Sequence, residues 1–158
     1  MRLVGATACA TVILACATNS AQSQDRVAAY EIVNGVSIPD SLTGRPGNRE
    51  AGRKLYFDRV VTGCSGCHGS PGGPGAQANA EGSDAPSLSG ISERMDTGRM
   101  RMWLIAPEVL RQNTTMPSYY QIGQRTDEND PNFGSTRLSA AEIEDLIAYL
   151  EAQKSEDQ

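Results

Sequence analysis

The chain has 158 residues, of which 39% are hydrophobic, so it has room for one globular domain and not for two large ones. Acidic residues outnumber basic ones by 19 to 14, and no basic cluster is present, so nucleic acid and anionic membrane surfaces are not expected as partners. Only 5% of the residues are aromatic. This composition predicts a thin core and favours a fold organised around an additional group, such as a bound cofactor.

The first 21 residues have the pattern of an export signal. Arg2 is the only charged residue before Asp25, and residues 3–17 form an apolar, alanine-rich stretch that is too short to span a bilayer. We therefore predict a signal peptide at 1–21 and an exported mature protein.

The four cysteines divide into two pairs. Cys9 and Cys16 lie in the predicted signal, so the mature chain keeps Cys64 and Cys67. Lipid anchoring through Cys16 is the less favoured alternative, because Leu14 stands where lipidation signals usually have a small residue.

The remaining chain divides into an arm and a domain. Residues 22–47 are polar and turn-rich, which predicts an extended N-terminal arm on the surface, followed by the main domain at 48–158. Within that domain, residues 63–90 contain eight of the sixteen glycines. We predict a long loop there, of a kind that a rigid ligand can order.

The first predicted helix runs from the N-cap residue Asn48 to about Asp58. Gly52 and Tyr56 lie one turn apart on this helix. This small residue beside an aromatic one would allow close approach of a second helix.

A second helix is predicted from a cap at Thr97 or Asp96 to about Ala106, where Pro107 stops it. A short turn follows at 107–112. Methionines in and beside this helix are interpreted as core-filling side chains.

The last predicted helix begins with a capping box formed by Ser139 and Glu142. Apolar residues follow at helical spacing, and Glu144 and Asp145 are expected to point outward. No segment alternates with period two, so the predicted fold is all-α, with much irregular loop.

The chemistry of the chain is concentrated in Cys64-Ser65-Gly66-Cys67-His68. Two thiols three positions apart can add to the two vinyl groups of one haem, and the adjacent histidine can then ligate its iron. Zinc is disfavoured because the mature chain offers only three such ligands, and a redox dithiol lacks its usual βαβ context. These two readings and a structural disulfide remain minor alternatives to one covalent haem c.

His68 is the only histidine, so the second axial position falls to Met, Lys, water or a gas. Met116 is the preferred candidate because its surroundings are too polar for a core methionine and Pro117 stiffens the backbone beside it. With His68 and Met116 as metal ligands, the iron has no vacant position, which suits electron transfer better than catalysis.

Other side chains are expected around the haem. The Pro86 carbonyl is predicted to accept a hydrogen bond from the His68 ring. Candidate donors to the propionates are Trp103, Arg99, Arg101 and Arg111. The apolar residues expected to pack on the ring are Tyr56, Leu88, Met100, Trp103, Leu104 and Ile147.

The order of helix, CxxCH, Pro86-Ser87-Leu88, Met116-Pro117 and closing helix resembles class I cytochrome c over about 48–153. Within that class, Met116-Pro117-Ser118-Tyr119-Tyr120 and the closing helix are similar to the X subunit of the SoxAX cytochrome of sulfur oxidation. The resemblance implies a cytochrome c-like monohaem domain.

For function, the resemblance implies a periplasmic heterodimer with a SoxA-like cytochrome subunit, dihaem or monohaem. In that family the complex joins thiosulfate oxidatively to a cysteine of a SoxYZ-like carrier protein. This chain would be the non-catalytic electron-transfer subunit of an L-cysteine S-thiosulfotransferase, passing electrons to a downstream acceptor. By position, Cys64 and Cys67 would attach the haem, His68 would be the proximal ligand and Met116 the distal one.

Two other functions fit the same ligands. A free, soluble monohaem electron shuttle would have no stable partner. A gas-binding sensor would require Met116 to be absent from the iron or displaceable. The residues alone do not separate the subunit from the shuttle; the family resemblance favours the subunit.

Overall fold

The computed structural model describes residues 27–71, 83–123 and 134–153. These residues form helices and irregular segments, with one isolated β-bridge between Val33 and Ser37, so the predicted all-α fold is confirmed. The helices are α1 (Arg49–Phe57), α2 (Cys64–His68), α3 (Ile91–Arg94), α4 (Thr97–Ile105), α5 (Pro107–Leu110) and α6 (Ala140–Glu151).

Some predictions fall outside this part of the chain. The signal peptide at 1–21, with Cys16, lies outside the described residues, and so does the stretch 72–82 of the predicted loop. Within the described ranges, no helix has the length and apolar character needed to cross a membrane.

The predicted N-terminal caps are confirmed at three helices. The Asn48 side chain accepts hydrogen bonds from the first turn of α1, and Asp96 caps α4. The capping box of Ser139 and Glu142 begins α6. Each cap supplies an acceptor to amides that have no partner inside the helix.

The predicted loop at 63–90 is only partly irregular. It contains α2, which Gly63 and Gly69 bound with φ angles of 67° and 71°. A positive φ angle is unfavourable for any residue that has a Cβ atom, so glycine fits both ends of this short helix. The glycine-rich composition therefore marks the ends of a turn of helix as well as the irregular backbone around it.

Helices α1 and α6 are packed very closely. A Cβ atom on Gly52 would collide with the Asp145 carbonyl, and one on Gly47 would collide with the Glu144 carbonyl. The predicted approach of a second helix at Gly52 and Tyr56 is therefore confirmed, and Tyr56 is buried beside the contact.

Replacing Gly52 with alanine should lower the free energy of unfolding by about 1–3 kcal/mol, because backbone atoms of α6 must move to admit the methyl group. Chemical denaturation measures the change. Lys54→Ala is the control, since Lys54 is exposed on the same helix and its loss should change stability by less than about 0.5 kcal/mol. Equal stability of the Gly52→Ala and natural proteins would contradict the close packing.

Helix α4 provides much of the core. Met100, Met102, Leu104 and Ile105 are buried on it, and Met102 has no exposed surface. The interpretation of Met100 and Met102 as core-filling side chains is confirmed. The helix ends at Ile105, and Pro107 begins the short helix α5.

The prediction for Glu144 is wrong. Its side chain is not directed outward but is 4% exposed and forms an ion pair with Arg101 of α4. Arg101 Nε and Nη2 donate to the two carboxylate oxygens of Glu144 at 2.9 and 3.0 Å. Two parallel hydrogen bonds of this kind offset the cost of removing both charges from water. The Arg101 guanidinium is therefore used inside the domain. The prediction of Arg101 as a donor to a haem propionate is corrected accordingly.

The same ion pair holds the N-terminal arm. Arg101 Nη1 donates to the Pro39 carbonyl at 3.0 Å, and Glu144 accepts from the Leu42 amide at 2.9 Å. Ile38 is 1% exposed and enters the core, whereas most of residues 28–40 are exposed. The described part of the arm therefore lies mostly on the surface, and Ile38 and the buried ion pair help to fasten it to the domain.

Candidate haem site

Helix α2 carries the two cysteines and the histidine of the motif. Cys64 and Cys67 are three positions apart in this helix, so both side chains lie on neighbouring parts of one face. Both are free thiols; Cys64 is partly buried against the core, and Cys67 is exposed. The arrangement offers two sulfurs at one surface, as attachment to a single flat ring requires.

The surroundings of Cys64 keep its thiol protonated. Burial raises the pKa of the Cys64 thiol, and hydrogen bonds from the side chains of Thr62 and Tyr119 offset this only in part. A redox-active dithiol needs a lowered pKa and a stable thiolate. The site therefore has the wrong electrostatics for the thioredoxin-like alternative.

The orientation of His68 is fixed by Pro86. His68 Nδ1 lies 2.7 Å from the Pro86 carbonyl oxygen, so the hydrogen bond predicted from the sequence is present. A carbonyl oxygen can only accept, so Nδ1 carries the hydrogen and Nε2 keeps its lone pair. That is the tautomer in which an imidazole ligates a metal through Nε2.

The Pro86 segment is itself held by Arg94. Arg94 Nη1 donates to the Ser89 carbonyl at 2.6 Å, and Nη2 donates to the Ser87 carbonyl at 2.9 Å. One guanidinium thus fixes the backbone that presents the Pro86 oxygen. The sequence did not indicate this role, because an arginine at the end of a four-residue helix resembles a solvated surface charge.

Met116 lies on the irregular segment that follows α5. Its side chain is partly buried against the core cluster, unlike the fully buried Met100 and Met102. Met95 is partly buried as well. The next residues fasten the segment to α4, since Ser118 donates to the Ile105 carbonyl and the Tyr119 amide donates to the Leu104 carbonyl at 2.8 Å.

Two buried tyrosines hold the residues on either side of α2. The Tyr119 hydroxyl donates to the Thr62 carbonyl at 2.7 Å, two residues before Cys64. The Tyr56 hydroxyl donates to the Gly69 carbonyl at 3.0 Å, directly after His68. Burial raises the pKa of both phenols, so each stays a hydrogen-bond donor. The sequence indicated Tyr56 only as an apolar packing residue and Tyr119 only as part of the motif at 116–120. It did not indicate the hydrogen bonds of their hydroxyl groups.

The remaining residues expected around the haem differ in how much of their surface is exposed. Trp103 is partly buried, while Arg99 and Arg111 are exposed and so remain available to carboxylates. Four of the expected ring contacts are already buried by neighbouring protein atoms, namely Tyr56, Met100, Leu104 and Ile147. Leu88 and Trp103 keep apolar surface that a bound ring can cover.

The donor set fits covalent haem c. Two neighbouring thiols match the two vinyl groups, and the imidazole is in the tautomer that leaves Nε2 for iron. Cys64, Leu88 and Met116 pack against the same buried cluster, so apolar surface is present beside the thiols. A bound haem c would supply a one-electron carrier at this place.

Comparison with known proteins gives the same assignment. No curated protein matches the chain. The crystal structure of SoxXA from P. pantotrophus contains a chain with 25% sequence identity and a TM-score of 0.66, and the match covers 84% of this chain and 100% of that one. The family model described as Cytochrome c matches residues 49–154, which is more than half of the chain. The protein therefore belongs to the cytochrome c family, resembles the SoxX subunit within it, and carries covalently bound haem c as an electron-transfer protein.

Proposed function

We propose that the protein is the electron-transfer subunit of a periplasmic thiosulfate-oxidising complex. The structural match to a chain of SoxXA carries the proposal, because it covers 84% of this chain. The structural match covers more residues than lie between residue 49, where the family model begins, and the end of the chain. It therefore extends into the residues before 49. The similarity therefore includes part of the N-terminal arm as well as the general cytochrome c domain.

His68 and Met116 are the axial ligands in this proposal. The Nδ1 hydrogen bond to Pro86 leaves His68 Nε2 for the iron, and Met116 is partly buried against the same core cluster as Cys64. Iron with both positions filled by protein cannot bind thiosulfate directly. The chain accordingly has no catalytic residue and serves to accept and pass on electrons.

A SoxA-like cytochrome subunit is the proposed stable partner, and a SoxYZ-like protein is the carrier. Joining thiosulfate to the thiol of a carrier cysteine forms a sulfur–sulfur bond and releases one proton and two electrons. A single haem takes one electron at a time, so each must pass to a downstream acceptor before the next arrives. The partner subunit holds the reacting sulfur atoms, and this chain carries the charge away.

Co-purification from the native periplasm tests the proposal. The tagged, haem-loaded protein should retain a second cytochrome through extensive washing, and thiosulfate plus the carrier protein should reduce its haem. Thiosulfate without the carrier is the control and should leave the haem ferric. A monomer whose haem is indifferent to thiosulfate and carrier would contradict the subunit and leave a free electron shuttle.

Export through the segment 1–21 belongs to the same proposal. The mass and N-terminal sequence of the mature protein from the periplasm test it directly. A soluble product starting near residue 22 is expected. A mature chain still beginning at Met1 would contradict export. A lipid-modified N-terminus at Cys16 would contradict the soluble product and show an anchored one.

Arg94 should tune the reduction potential through Pro86 and His68. Arg94→Gln removes the donors that hold the Ser87 and Ser89 carbonyls, so the His68 hydrogen bond weakens and the imidazole donates less charge to the iron. We expect the potential to rise by on the order of 30 mV. Potentiometric titration measures it, with Arg59→Gln as the control for losing an exposed cation. Loss of positive charge alone lowers the potential, so a fall in both variants would contradict the role of Arg94.

A further inference from the structure

We propose that Tyr119 is a positioning residue that couples the Met116 segment, residues 111–120, to the backbone leading into α2. Its hydroxyl bridges the two parts of the chain that approach the haem from opposite ends of the sequence. The inference rests on the proposed ligation by Met116 and goes beyond it, because Tyr119 acts through the methionine without touching the iron.

The bridge is short, buried and long-range. Tyr119 is 4% exposed, and its hydroxyl donates at 2.7 Å to the carbonyl of Thr62, which is 57 positions away. Thr62 stands two residues before Cys64, whose side chain is partly buried against the core. Tyr119, three residues after the methionine, is therefore attached to the backbone that leads into Cys64.

The acceptor is held rigidly from its own side. The Thr62 amide donates to the Asp58 carbonyl at 3.1 Å, and the Thr62 hydroxyl reaches the Leu55 carbonyl at the end of α1. Because the Thr62 carbonyl is held in this way, its hydrogen bond to the hydroxyl restrains the position of Tyr119.

Two other hydrogen bonds join the Met116 segment to α4. Ser118 and the Tyr119 amide bind carbonyls of α4, and the Met116 amide donates to Thr114 within the segment itself. These bonds set the distance of the segment from α4. The Tyr119 hydroxyl sets its distance from α2, which is the distance that a sulfur ligand opposite His68 has to match.

A thioether is a neutral ligand, so its bond to iron depends on how well the protein holds the sulfur in place. Removing the Tyr119 hydroxyl loosens that hold and leaves a buried carbonyl unsatisfied. One lost hydrogen bond of this kind corresponds to about a tenfold change in an equilibrium constant. The fraction of molecules with a detached methionine should rise by that factor.

Carbon monoxide binding to the reduced, haem-loaded protein measures the detached fraction, since the gas binds only where the sulfur has left. Tyr119→Phe should bind carbon monoxide about tenfold faster than the natural protein. The ferric natural protein should show the far-red charge-transfer band of methionine-ligated haem. Tyr120→Phe is the matched control, because it removes a neighbouring buried hydroxyl that bonds to the Ala28 amide of the arm and not to α2.

Equal carbon monoxide rates in Tyr119→Phe, Tyr120→Phe and the natural protein would overturn the inference. If Tyr119→Phe fails to load haem, Thr62→Val decides. It removes the hydroxyl bonds to Leu55 and Asp58 that hold the accepting residue, and it leaves Tyr119 unchanged. It should accelerate carbon monoxide binding, and an unchanged rate would overturn the inference. A natural protein without the far-red band would overturn the Met116 ligation as well. A band that persists in the natural protein, with unaltered rates in the variants, would overturn the role of Tyr119 alone.

Discussion

Replacing Met116 with alanine is expected to lower the reduction potential of the haem by on the order of 0.2 V. The sulfur of methionine stabilises ferrous over ferric iron, and water, which would take its place, favours the ferric form. The variant should also bind carbon monoxide rapidly when reduced, because the sixth position becomes exchangeable. This is the largest functional effect that we expect from any single substitution in the chain.

Potentiometric titration and the far-red absorption of the ferric protein measure the effect. Met95→Ala is the matched control, since Met95 is also a partly buried thioether beside the core. The control should keep its potential and its far-red band. The opposite result, with Met95→Ala losing the band and Met116→Ala retaining it, would show that the sequence argument chose the wrong methionine.

Replacing Glu144 with leucine is expected to lower the free energy of unfolding by about 3–5 kcal/mol. The variant leaves the Arg101 guanidinium buried without its carboxylate partner, and it also removes the acceptor of the Leu42 amide. An unpaired buried charge costs more than the ion pair itself contributes, because its hydration is not replaced.

Chemical denaturation of the haem-loaded protein measures the loss, and limited proteolysis shows whether the arm is released with it. Glu151→Leu is the control on the same helix, since Glu151 is exposed and its substitution should change stability by less than about 0.5 kcal/mol. The double variant Arg101→Met, Glu144→Leu should recover most of the loss, because neither charge then remains buried. A double variant as unstable as the sum of the single ones would contradict the pairing.

Local patterns in the sequence were sufficient to predict the main helices. The side chain that caps a helix lies within three positions of the amides it binds, so Asn48, Asp96 and Ser139 could be identified from neighbours alone. The same holds for the cysteines and His68, whose chemistry depends on spacing within a five-residue motif. The hydrogen bond from His68 to Pro86 was predicted because a metal-ligating histidine usually donates its other ring nitrogen to a carbonyl, and it is present.

Contacts between distant parts of the chain could not be predicted in this way. Glu144 follows an apolar position and looks like a solvated acid until Arg101, 43 positions earlier, is placed against it. Tyr119 and Thr62 are 57 positions apart, and neither residue type indicates a partner. Such pairs depend on how the helices pack, which helical periodicity does not specify. The axial role of Met116 remains a prediction for the same reason.

The close packing of α1 against α6 has a consequence for synthesis of the protein. The Asn48 amide bonds to the Asp145 side chain, 97 positions further along, and Gly52 contacts the backbone of the same residue. At roughly 10 residues per second, a ribosome releases α1 about ten seconds before the helix that covers it. Until then Tyr56 and its neighbours have no partner surface, so a nascent chain stalled before Ala140 exposes them to aggregation. Completion of the C-terminal helix is therefore the step that allows the domain to close.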